Sequence, residues 1–92
     1  MTVRRFPDGF VWGTATSAHQ VEGGNWNNDW WAWEHTPGSP CQEPSGDACD
    51  HWHRWPEDVA LVADLGFGTY RFSLEWSRIE PEEGDWSRVA LD

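Results

Sequence analysis

Apolar and polar positions follow different periods in different stretches of the chain, and each period predicts an element. The run FVWGTATSAHQVEGG opens with Phe10, Val11 and Trp12, passes through six small residues from Gly13 to Ala18, and ends in His19, Gln20 and Glu22. The apolar opening and small continuation predict a first strand over Phe10 to Ala18. Asn25 to Gly46 is rich in Trp, Asn, Pro, Gly and Ser, and predicts a long ordered loop with one helical turn near Trp30 to Glu34. A loop of that length inside a compact unit usually carries function. In PEDVALVADLG, Val59, Leu61, Val62 and Leu65 recur at helical spacing and predict a buried stripe. Pro56 suits the first helical position, Glu57 and Asp58 complement the positive helix end, and Gly66 suits a left-handed stop. Asp50 to Trp55 extends this helix backwards where Pro56 is tolerated in an early turn.

After Gly66 the period changes to two. Tyr70, Phe72, Leu74 and Trp76 fall on one face, and Arg71, Ser73 and Glu75 on the other. A strand, a long connection with a helix and a second strand form a βαβ order, which implies parallel pairing. An Arg on the inner face of such a sheet needs a carboxylate or a ligand to neutralise it. The small residues before His19, Gln20 and Glu22 pose a similar question. They suit a close approach to the backbone, followed by polar groups that grip what approaches.

Composition narrows the classes. The chain has 92 residues, 38% of them hydrophobic, and a formal net charge of −10, so nucleic acid is an unsuitable partner. No apolar run approaches membrane-spanning length, and MTVRRFPDGF lacks the apolar stretch of a signal peptide, which implies a cytoplasmic location. Cys41 and Cys49 are then expected as free thiols. Nine Trp residues stand out, because a flat indole face suits stacking on the apolar faces of sugars.

With these residues in view, the chain resembles family 1 glycoside hydrolases, the β-glucosidase and β-galactosidase family. Phe10, Trp12, Gly13, Ala15, Ser17, Ala18, Gln20, Glu22 and Gly23 sit in register with the family's amino-terminal signature. Asp58, Leu65 and Gly66, then Tyr70 to Ser73 and Trp76 to Ile79, follow a second block of its pattern. The resemblance implies the amino-terminal portion of a (β/α)8 TIM barrel: its first two βα units, an α/β arrangement incomplete within residues 1–92. A whole barrel takes about 250 residues, with its active site at the carboxyl ends of the strands. The family hydrolyses β-glycosides with retention, using two glutamates whose carboxyl groups lie about 5 to 5.5 Å apart. Those glutamates stand in Asn-Glu-Pro and Glu-Asn-Gly motifs, neither of which occurs here. The 92 residues alone are therefore expected to be inactive, and to depend on the remainder of the barrel as a partner. No cofactor is implied.

Two site residues carry over from the resemblance. Gln20 matches a glutamine that hydrogen-bonds hydroxyls of the non-reducing sugar, a role suited to an amide that both donates and accepts. Arg71 matches an arginine beside the nucleophilic carboxylate that holds it ionised. A loop-capping amide and a structural ion pair are the plainer alternatives for these two. Glu22 is expected to anchor the loop through salt bridges. Glu75 stands where many relatives have a small hydroxyl residue, and is expected to pair with Arg78 or another neighbour. His51 and His53 with Cys41 and Cys49 fit no standard zinc pattern, so no metal site is expected. His19 is expected to pack beside the signature strand, Trp12 and Trp76 in the barrel core, and Trp30, Trp31 and Trp33 within the loop. Two other classes remain open: a self-contained Trp-rich carbohydrate-binding module, and a non-catalytic interaction protein descended from the barrel.

Overall fold

The computed structural model describes residues 2–92. In chain order it contains β1 (Gly13–Ala15), α1 (Ala18–Val21), α2 (Asp29–Glu34), α3 (His51–Asp64), β2 (Thr69–Arg71), α4 (Trp76–Ile79) and α5 (Arg88–Leu91). The two strands pair in parallel, with Gly13 opposite Thr69, Thr14 opposite Tyr70 and Ala15 opposite Arg71. The ladder is continued at either end by Gly68 N–H to Trp12 O and Thr16 N–H to Arg71 O, both 3.0 Å. The βαβ order expected from the change of period is therefore present, with α3 as the crossover helix.

Gly13 shows why the first strand is stripped of side chains. A Cβ at this position would stand 2.2 Å from Thr69 Cγ2 and 2.7 Å from Thr69 O, distances at which atoms collide. Hydrogen to methyl is too large a change for this seam, so the small residue there answers to the neighbouring strand.

Both strands are shorter than their patterns predict. The expected strand over Phe10 to Ala18 contracts to three residues, and Ala18 already begins a helical turn. Pairing extends only where a partner strand runs alongside, and β2 offers three residues. The alternation Tyr70 to Trp76 breaks for a different reason. Glu75 takes the N-cap position of α4, its carboxylate accepting from Ser77 N–H, so Trp76 starts a helix instead of continuing the strand.

The helix α3 runs from His51, the longer of the two extents the sequence allows, with Pro56 inside it. It ends in a Schellman motif. Gly66 has φ of 86°, its N–H reaches Ala63 O at 3.0 Å, and Phe67 N–H reaches Val62 O at 3.4 Å. Tyr70 and Phe72 face Trp52, Trp55 and Val59 of α3 across a groove of about 400 Å³, which α5 and Leu74 also line. Arg71 alternates onto the opposite face of the strand.

Burial departs most from expectation. Among the described apolar residues only Ala18 and Ile79 are buried, at 6% and 7% exposure, while Leu65 of the expected buried stripe is 63% exposed. Leu61 is exposed too, and Val59 is only part-covered where it lines the open groove opposite Tyr70 and Phe72. Trp12 and Trp76 are likewise not core residues here. Trp12 packs against Phe6 and Phe10 in an aromatic cluster, and Trp76 meets Trp86 edge-on at 5.6 Å. The radius of gyration is 17.4 Å, against roughly 12 Å for a compact domain of this length. Accessible surface is 7695 Å², against roughly 5,500 Å² for a compact monomer of this mass. The segment is one open wedge of an architecture whose layers need further elements.

The Gly13 contact makes a stability prediction for the protein that carries these residues. Gly13→Ala is expected to destabilise it by about 1–3 kcal/mol through overpacking of the strand seam. Gly68→Ala, where an added Cβ meets nothing within 4 Å, is the control and should change stability by less than about 0.5 kcal/mol. Denaturant melts of the two variants check this, and equal midpoints would remove the steric reading of Gly13.

Candidate functional site

The polar groups named by the sequence gather at the carboxyl end of the two strands. Arg71 is the last residue of β2 and lies opposite Ala15, the last residue of β1. Five residues beyond Ala15 comes Gln20, on the exposed side of α1 and not at the mouth of a longer strand. Its backbone N–H bonds Ser17 O at 3.1 Å, and its side-chain Oε1 accepts from Ser17 Oγ at 2.7 Å. That bond orients the amide and leaves both N–H donors of Gln20 directed to other partners. The Arg71 side chain is exposed and, among the described residues, forms no ion pair or side-chain hydrogen bond. The structural ion pair that served as its plainer alternative does not occur within these residues.

Beneath Gln20 the short helix is pinned on every side. Ala18 N–H donates to Ser73 Oγ at 2.8 Å, which ties α1 to the inner phase of the strand leading out of β2. Glu22, at the end of α1, is 3% exposed and lies within ion-pair range of Arg78, Oε2 to Nη1 3.8 Å. It also accepts from Asn25 Nδ2 at 3.2 Å and from Glu75 N–H at 3.4 Å. Arg78 in turn donates from Nη2 to Gly23 O and lies 4.2 Å over the Trp52 ring. Glu22 thus anchors the loop as expected, through one ion pair and two hydrogen bonds.

Glu75 differs from expectation. It does not pair with Arg78. Its Oε1 accepts from Ser77 Oγ at 2.9 Å, and its Oε2 accepts from Asn28 Nδ2 at 2.7 Å. The carboxylate caps α4 and reaches the long loop, a position no small hydroxyl side chain could span.

No pattern in the sequence announces the network that Asn28 begins. Asn28 Oδ1 accepts from Trp31 N–H at 2.8 Å and so caps α2. Its Nδ2 then faces both Glu75 and His19 Nδ1, at 3.0 Å from the latter. Because Nδ2 can only donate, His19 Nδ1 accepts and the ring proton sits on Nε2. That proton points at Glu34 Oε2, 3.2 Å away. Glu34 Oε1 accepts from Ser45 N–H at 2.9 Å and from Ser45 Oγ at 2.7 Å. An Asn before a helical run is a readable cap signal. Glu34 carries none, since its partners lie 11 and 15 residues away.

The remaining histidines pair locally, His51 with Asp58 and His53 with Asp50, each at 2.7 Å. Among the described residues no three His, Cys, Asp or Glu side chains gather as a metal site, and Cys41 and Cys49 are free thiols. The tryptophans of the loop divide. Trp31 stacks on His35 at 4.8 Å, while Trp30 and Trp33 are exposed beside Asp29 at an open hollow instead of packing the loop.

The described residues form an α/β wedge on two adjacent parallel strands, with Arg71 at the carboxyl end of β2 and Gln20 in the turn beyond β1. Residues 2–91 match glycosyl hydrolase family 1, and the chain belongs to that family. It is 46% identical to β-glucosidase A of Thermotoga maritima over 88 residues, covering 89% of this chain and 20% of that protein. With thermostable β-glucosidase B of Thermobispora bispora it shares 51% identity over 93 residues, 95% of this chain and 20% of the relative. Among solved structures it superposes on the β-glycosidase BGL167 with a TM-score of 0.85 and 63% identity, over 95% of this chain and 21% of the other. A T. maritima β-glucosidase in complex with castanospermine gives 0.83 at 40% identity, over 98% of this chain and 22% of that one. The chain spans about a fifth of the length of these relatives, and it is the amino-terminal portion of their TIM barrel.

Glu34 sets a pH dependence. Burial acts to raise its carboxyl, but the bonds from the Ser45 hydroxyl and amide and from His19 outweigh burial and bring it from 4.5 to about 2. A carboxyl lowered on folding contributes stability that is present above about pH 4.5 and lost as pH falls through about 2. Glu34→Gln should cost about 3 kcal/mol at neutral pH, and the difference from the parent should close between pH 4.5 and 2. Denaturant midpoints measured across that range check it; a gap that stays constant with pH would contradict it.

Proposed function

We propose that these residues form the amino-terminal part of a retaining β-glycosidase acting on β-glucosides or β-galactosides. The supporting observation is the parallel register that sets Ala15 opposite Arg71, so that Gln20 and Arg71 arise from one carboxyl edge. Gln20 binds hydroxyls of the non-reducing sugar through the amide donors that Ser17 leaves free. The guanidinium of Arg71 stands beside the nucleophilic carboxylate, favours its ionised form and fixes its direction. The two catalytic glutamates belong to the remainder of the barrel, so the 92 residues alone are not a catalyst.

Two measurements on the full-length protein test the two roles. Gln20→Ala removes hydrogen bonds that tighten as the sugar ring distorts towards an oxocarbenium-like state. It should lower kcat/KM by roughly 2 to 4 kcal/mol on nitrophenyl β-glucoside, whatever the aglycone. Unchanged kinetics would count against the assignment. For Arg71 the effect has a sign. Arg71→Met removes a positive charge, so the nucleophile's pKa rises and the acid limb of the kcat/KM profile moves to higher pH, by about 1 to 3 units. A folded Arg71→Met enzyme whose acid limb stays in place would show Arg71 to be only a structural cation.

A further inference from the structure

Gln20 is exposed on a helix of four residues, too short to hold a direction by its own hydrogen bonds. Ser17 Oγ holds its side-chain oxygen at 2.7 Å, and the turn that carries it is held next door. The ring of His19 is held at both nitrogens, by Asn28 Nδ2 on Nδ1 at 3.0 Å and by Glu34 Oε2 on Nε2 at 3.2 Å. Its side chain is 16% exposed, and that of Glu34 is 6% exposed. Both partners are themselves fully engaged. Asn28 spends its oxygen on Trp31 N–H and its second N–H on Glu75, while Glu34 holds Ser45 by hydroxyl and amide. The chain Glu75–Asn28–His19–Glu34–Ser45 therefore runs from the end of β2's strand segment through α1 into the far side of the long loop. None of these bonds touches Gln20, but together they hold the side chain of the residue that directly precedes it.

We propose that Asn28 and Glu34 are positioning residues for Gln20, holding its amide towards the sugar by clamping both ring nitrogens of His19. This rests on the reading of Gln20 as a sugar-binding residue. The clamp has a chemical consequence. The amide N–H on one side and the carboxylate on the other fix the ring's orientation, with Nδ1 accepting and Nε2 donating. Any change at residue 28 or 34 that frees the ring therefore frees the turn that carries Gln20. A misplacement of about 1 Å at a binding group is enough to cost up to about a hundredfold in rate.

A double-mutant cycle in the full-length protein tests it, with nitrophenyl β-glucoside as substrate. The single variants are Gln20→Ala, Glu34→Gln and Asn28→Ser, each also combined with Gln20→Ala. Serine at residue 28 keeps a good helix cap while losing both donors, so it carries the test where Glu34→Gln fails to fold. Glu34→Gln or Asn28→Ser should lower kcat/KM about tenfold to a hundredfold when Gln20 is present, and less than about threefold when Gln20 is already Ala. A structural role would lower activity equally in both backgrounds, because lost folded enzyme does not depend on residue 20. Equal losses, or no loss in a Gln20-containing enzyme, would overturn the positioning role while leaving the sugar-binding reading of Gln20 intact. Should Gln20→Ala itself change nothing, that reading falls and the positioning role falls with it.

Discussion

Glu22 and Arg78 bind together parts of the chain that have little apolar surface in common. Glu22 ends α1, accepts from Asn25 in the loop, accepts from the backbone of Glu75 and pairs with Arg78, while its own carbonyl receives Trp52 N–H at 3.2 Å. Arg78 returns a bond to Gly23 O and covers the Trp52 ring. Four elements thus meet on one charge pair, its carboxylate buried and its guanidinium part-buried. Such pairs are costly to desolvate and are retained only where geometry and further hydrogen bonds repay that cost. Here they also do what a core cannot. With only Ala18 and Ile79 buried among the described apolar residues, the orientation of α1 against α3 and α4 follows from polar bonds.

Gly23 extends the same constraint into the loop. Its φ is 85°, and an added Cβ would lie 2.2 Å from Asp47 O, so the chain turns there in a conformation and a space that suit glycine. The next residue, Gly24, donates its N–H to Gly46 O at 2.8 Å. The two ends of the long loop are therefore tied beside this ion pair, and Ser45 is brought within reach of Glu34. Gripping polar groups and small residues, which looked in the sequence like a single device for a ligand, divide into two. Gly13 serves the strand seam, Gly23 serves the loop, and only Gln20 faces outward.

What the sequence made legible follows from the range of each interaction. The βαβ order, the helix end at Gly66 and the turn of helix in the loop rest on periods and caps within a few residues, and all are present. Strand lengths were misread because alternation from Tyr70 to Trp76 does not reveal that Glu75 will cap a helix. The exposed stripe of Val59, Leu61 and Leu65 was misread for another reason. An apolar period reports that a face wants cover, and these residues do not contain the cover. Glu34, Ser45 and the ring of His19 were illegible because their meeting depends on how a loop of more than twenty residues folds back. Gln20 and Arg71 stand out as candidate site residues only through the family motif.

Glu75 ties two distant positions into one evolutionary unit. A serine or threonine at residue 75 would still cap α4, but its hydroxyl would fall short of Asn28, leaving the amide free to turn away from His19. Conversely, an aspartate at residue 28 would cap α2 equally well and set a second carboxylate against Glu75 with no proton between them. Local helix capping tolerates each change alone, whereas the contact between the two positions does not. Among family members, residues at positions 28 and 75 should therefore be inherited as a pair, and a lineage that replaced one would be under pressure to replace the other.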